Sequence, residues 1–118
     1  MAAANKINYV EFPTMDIDGT KSFFISVFSW SFEDYGPDYA AFSGAGIDGG
    51  FFRSDKVSSC DAGAALVVIY SDALEQVQAK VEQYGGSIVK PIFSFPGGRR
   101  FHFTEPGGSE LAVWSDVG

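Results

Sequence analysis

The sequence predicts an α+β fold made of two βαβββ modules in a single domain. Three observations predict it. Strand, helix and three further strands are read in the same order twice along 118 residues. Landmarks recur at a nearly constant interval: Asp16 and Asp72 ahead of the helices, Ser29-Trp30 and Gly85-Gly86 behind them, Gly49-Gly50 and Gly107-Gly108 near the last strands. Fourteen glycines in a chain that is 16% aromatic suit many short strands joined by tight turns.

The first module spans about residues 6–53. Residues 6–12 alternate as a strand, with Val10 and Phe12 on one face and Ile7, Tyr9 and Glu11 on the other; Pro13 is expected to end it. Asp16 or Asp18 can cap a helix over about 19–28, because either carboxylate accepts the free amides of the first turn. Phe23, Phe24, Val27 and Phe28 give its apolar stripe. Strands follow over 30–35, 39–43 and 47–53, the last weakened by Gly49-Gly50. Residues 54–62 are polar and form a linker.

The second module spans about 63–115. Residues 63–70 form an apolar strand, and Asp72 is expected to cap a helix over about 73–84. Leu74, Val77, Val81 and Tyr84 mark its buried stripe, and Gly85-Gly86 ends it. Residues 87–95 form a long strand interrupted by Pro91. Arg99-Arg100 stand beside the Pro96-Gly97-Gly98 turn, 101–104 is a short strand, and 109–115 is the last.

Composition narrows the function. Eight basic against fifteen acidic residues give a net charge of −7, which repels phosphate backbones and anionic membranes, so neither nucleic acid nor membrane is an expected partner. No apolar run reaches bilayer-spanning length. Residues 1–5 lack the charged start and apolar run of a leader, so the expected location is cytoplasmic. The lone Cys60 excludes an intrachain disulfide and a cysteine-cluster metal site, and the lone His102 excludes any mechanism needing two histidines. The many aromatics either fill a small core or line an apolar ligand cavity.

Several segments together resemble the vicinal-oxygen-chelate superfamily of glyoxalases, bleomycin-resistance proteins and extradiol dioxygenases. They are residues 7–13, Asp16, residues 22–32, Gly85-Gly86 and residues 105–111. Phe23-Phe24 with Phe28-Ser29-Trp30 is similar to the family's helix ending, with Ser29 in place of the usual glycine. Glu105-Pro106-Gly107-Gly108-Ser109 is similar to its late turn, with Glu and Ser replacing Asp and Asn. The resemblance implies that the two modules form an incomplete eight-stranded barrel with helices outside, a concave ligand face and a homodimer.

Metal-dependent relatives hold a divalent ion with four side chains, mostly His and Glu. Carried over residue by residue, those positions fall at Tyr9, in Gly49–Phe52, at Ala65 or Leu66, and at Ala112. None offers a suitable side chain, and a slip of one or two residues brings in at most the carboxylates Glu11 and Glu110 and no histidine. The resemblance therefore implies a member without metal or other cofactor.

Strand alternation places Tyr9 and Glu11, and likewise Glu110, Ala112 and Trp114, toward the cleft, where rings beside carboxylates suit a small organic molecule. Glu11, Glu110 and His102 are the candidate catalytic bases; His102 reads otherwise as a partly exposed strand residue. Arg99-Arg100 either clamp a ligand carboxylate or are a solvated turn. Cys60 has no histidine near it in sequence and no nucleophile motif. Three readings follow: a small-molecule-binding protein in an aromatic cleft, a glyoxalase-like lyase or isomerase, and an interaction protein whose cleft its own phenylalanines fill.

Overall fold

The computed structural model describes residues 2–118; Met1, the first residue of the segment read for a leader, lies outside the described residues. The elements run β1 (Tyr9–Thr14), α1 (Ile17–Phe28), β2 (Ser31–Asp34), β3 (Tyr39–Ser43), β4 (Asp48–Arg53), β5 (Val67–Tyr70), α2 (Leu74–Gln83), β6 (Ser87–Phe95), β7 (Gly98–Thr104) and β8 (Glu110–Ser115). They form two four-stranded sheets, ordered β1-β4-β3-β2 and β5-β8-β7-β6. In each, the first strand pairs parallel with the fourth, and the rest pair antiparallel. This is the βαβββ module twice, without a closed barrel.

Each sheet has a helix face and a helix-free face. On the first sheet the helix face presents Phe12, Phe51, Ala40 and Phe42, all buried. Phe23, Phe24 and Val27 of α1 meet them at helical spacing. Trp30 lies between Phe24 and Phe42, with ring centroids 4.5 and 4.7 Å away. On the second sheet Phe101, Phe103, Leu111 and Val113 meet Leu74 and Val81 of α2. Phe23 reaches Phe103 across the modules at 5.7 Å, so one core serves both. Most of the phenylalanines are core, each fully buried ring contributing roughly 1.5–3 kcal/mol.

Several boundaries differ from expectation. Pro13 lies within β1 because that strand is an edge, paired only with β4, where a missing amide is tolerated. Residues 6–8 are outside the strand. The linker extends to Leu66, since β8 has a partner for β5 only from Val67 onward. Asp72 does not cap α2: Ala73 occupies the N-cap with no side-chain bond, whereas Asp16 Oδ1 accepts the Gly19 amide at α1. Arg99 and Arg100 belong to β7, which both β6 and β8 hold in register. Around Pro91 the β6 register shifts twice, the bulge a proline without an amide requires.

Candidate functional site

The candidate residues separate onto the helix-free faces of the two sheets. On the first, Tyr9 is exposed and its hydroxyl lies 2.5 Å from that of Tyr39, which donates to Glu11 Oε2 at 2.9 Å. Desolvation, aided by Tyr9 and Glu11, holds the Tyr39 phenol well above the usual range. Tyr9, Glu33, Ala41 and Asp48 help line a depression of about 350 Å³. Sequence reasoning missed Tyr39.

On the second sheet, cross-strand register sets Arg100 opposite Trp114, His102 opposite Ala112, and Thr104 opposite Glu110. His102 is 2% exposed, not partly exposed as expected, and Glu110 and Ala112 are buried beside it. The linker makes the difference. Glu110 donates its amide to the Ser58 carbonyl at 2.7 Å, and its Oε1 accepts the Cys60 amide at 2.9 Å. Its Oε2 lies 3.1 Å from His102 Nδ1. Burial alone would raise the Glu110 carboxyl; the Cys60 amide and His102 outweigh it and hold it below the usual range. The Cys60 thiol is pushed up, first by desolvation and then by Glu110. Cys60 thus stands beside a histidine after all.

Farther along the same face, the Arg100 guanidinium carbon lies 5.4 Å from both the Phe93 and Phe95 ring centroids. Trp114 meets Tyr70 edge-on at 5.2 Å and Phe95 at 6.3 Å. Arg99 points the other way and pairs with Glu75 of α2. The two arginines read together as one clamp or one turn therefore have separate roles. Between the edges of β1 and β5 lies an apolar groove of about 300 Å³, lined by Val10, Phe12, Trp30, Val67 and Tyr70 among others. Among the described residues no hydrogen bond joins Tyr9 or Glu11 to Glu110, His102 or Trp114. Within one chain, then, these residues form two clusters.

The carried-over metal positions do not fit an ion. The Tyr9 hydroxyl is engaged by Tyr39, Gly50 lies directly against the Tyr39 ring where a side chain would collide, and Ala112 has only a methyl group.

Comparison with known proteins agrees with this architecture. A family model described as the glyoxalase/bleomycin resistance protein/dioxygenase superfamily matches residues 6–113. A comparison with curated protein sequences gave no match. Among solved structures, a glyoxalase/bleomycin resistance protein/dioxygenase family enzyme from Burkholderia phytofirmans superposes with TM-score 0.77 at 13% identity, covering 93% of this chain and 98% of that one. A fosfomycin resistance protein from Listeria monocytogenes gives 0.75 at 14%, covering 96% and 94%. A lactoylglutathione lyase from Agrobacterium tumefaciens gives 0.70 at 15%, covering 97% and 96%. At these identities the structural likeness concerns the fold. The family model spans nearly the whole of both modules, and the chain belongs to the glyoxalase/bleomycin resistance protein/dioxygenase superfamily.

Proposed function

We propose that this protein binds a small organic anion with a flat apolar body on the helix-free face of the second sheet, without the four-ligand metal centre of its metal-dependent relatives. The observation that carries this reading is Arg100. Its guanidinium rests on two phenylalanine rings and makes no ion pair among the described residues. Its Nε is buried without a partner among the described residues. A planar cation held this way offers a fork to a carboxylate or phosphonate, and Trp114 and Tyr70 beside it offer apolar area.

The test is a fluorescence titration with a panel of aromatic carboxylates and arylphosphonates. For the best probe, Arg100→Gln should weaken binding about tenfold or more, the scale of one charge-assisted hydrogen bond. Trp114→Phe should cost about 1 kcal/mol of binding. Melting curves of both variants serve as controls. Equal affinities in folded wild type and Arg100→Gln would sink the reading. A Trp114→Phe variant that melts early yet binds normally would make Trp114 a structural plug.

The working form is proposed to be a cytoplasmic homodimer. Val68, Tyr70, Val89 and Phe52 leave large apolar area exposed on one chain, and each sheet ends in unpaired edges. Light scattering should give twice the chain mass at micromolar concentration; a stable monomer counts against it.

A second reading is favoured by the His102–Glu110 pair. A carboxylate on Nδ1 orients the imidazole as a general base is oriented in a glyoxalase-like lyase or isomerase, with Nε2 buried and unpartnered among the described residues. Turnover of the methylglyoxal–glutathione adduct, lost in His102→Gln, would favour it over simple binding.

A further inference from the structure

The second sheet carries a cluster that the anion-binding reading leaves unused. Cys60 Sγ, a ring nitrogen of His102 and a carboxylate oxygen of Glu110 all lie within 4.8 Å of one another. We propose that these three side chains form a binding site for a zinc-class divalent cation, built from residues other than the four positions carried over from the superfamily and lying beside the fourth of them, Ala112.

The donor set suits the ion. One thiolate, one imidazole and one carboxylate are ligands that zinc accepts, and three protein ligands leave a fourth position for water or an anion. Tetrahedral coordination at bond lengths of about 2.0–2.3 Å spaces donors roughly 3.3–3.6 Å apart. His102 Nδ1 and Glu110 Oε2 already stand at 3.1 Å. The cation takes the place between Nδ1 and the carboxylate: the imidazole binds as the neutral tautomer with its proton on Nε2, and the thiol proton leaves to solvent. Two charged ligands then balance its two charges.

The site is also preorganised. His102 and Glu110 are buried, with side chains only 3% and 7% exposed. The Cys60 amide is tied to Glu110 Oε1 at 2.9 Å, which fixes the cysteine backbone beside the pair. Cys60 is itself an exposed residue, and its Sγ already lies within 4.8 Å of the other two donors. Among the described residues the buried His102 Nε2 has no partner, so that nitrogen is not committed elsewhere and Nδ1 keeps its place facing Glu110. Lys90 stands opposite His102 across β6 and β7 and acts against the cation; the two anionic ligands outnumber it.

The experiment uses untagged full chain stripped with a chelator, then titrated with zinc sulfate alone by calorimetry and with cobalt chloride by optical absorption. Wild type should bind one equivalent per chain, and cobalt should show a thiolate charge-transfer band. Cys60→Ser, at an exposed position, should melt like wild type, lose that band and bind zinc at least tenfold more weakly. Arg100→Gln, which tests anion binding, should keep full zinc affinity. Substoichiometric zinc on folded wild type, or an unchanged affinity and cobalt spectrum in Cys60→Ser, would overturn the site.

Discussion

Ser29 closes α1 in the left-handed conformation, with φ 62° and ψ 30°. Its amide and that of Trp30 turn back to the Ile25 and Phe24 carbonyls. An L side chain in this region costs roughly 1–2 kcal/mol, a cost glycine avoids. The sequence already marked the position, because Ser29 stands where the resemblance leads one to expect glycine. Replacing Ser29 by Gly should stabilise the fold by about 0.5–1 kcal/mol, part of the relief being lost to the looser unfolded chain. Urea denaturation would show it as a higher midpoint at unchanged slope; a lower midpoint would mean that the serine hydroxyl has a role that its backbone does not reveal. Other single-residue features were not legible. The Cys60 amide meets Glu110 across 50 positions, and no spacing rule links residues that only a linker folding back over β8 brings together. Arg100 was hidden by a turn reading that stopped β7 three residues short.

At the scale of elements, alternation served well where a strand is solvated on one face. Residues 39–43 and 87–95 match β3 and β6 as read. It failed where an apolar run had no partner. Gly63, Ala64 and Ala65 continue the hydrophobic pattern of β5, but composition does not show where the neighbouring strand begins. Capping chemistry failed at α2 for a related reason. Asp72 and Ser71 both suit a cap, yet the chain enters the helix one residue later, and the Ser71 hydroxyl instead accepts the Ala73 amide at 3.0 Å. The N-cap alanine leaves first-turn amides without a side-chain acceptor. Ala73→Ser would supply one, and Gln76 three residues on could reciprocate. The expected gain is about 0.5–2 kcal/mol. Slower hydrogen exchange in the first turn of α2 would confirm its origin, and an unchanged melt would show that solvent already satisfies those amides.

At the scale of the whole molecule, the two modules are locked by the turn before β8. Glu105 is buried. Its Oε1 accepts Thr20 Oγ1 of α1 at 2.5 Å and the Gly107 amide at 2.8 Å, and its Oε2 accepts the Ser109 amide at 3.0 Å. Met15 donates its amide to the Gly107 carbonyl, and Ser109 Oγ donates to the Pro13 carbonyl at 2.7 Å. The Glu105-Pro-Gly-Gly-Ser109 segment, read as a family signature, is thus also the clasp between modules. Burial raises the Glu105 carboxyl above the usual range, and three hydrogen bonds only partly offset this. The direction fixes the sign of a pH effect. With the folded value above the unfolded one, the native state keeps its proton longer. The resulting stabilisation is complete below the ordinary carboxylate range and is lost as pH rises through the raised value. Glu105→Gln cannot titrate. It also sets an amide NH₂ against a backbone donor, so it should be less stable than wild type by about 1–3 kcal/mol. The wild-type advantage should be greatest below the ordinary carboxylate range and should shrink as pH rises through the raised value. Glu110, whose carboxyl is shifted the other way, is common to both proteins and cancels in the difference. Chemical denaturation of the pair at several pH values reads this directly, and an advantage that stays constant or grows with pH would mean that Glu105 is ionised in the folded protein throughout.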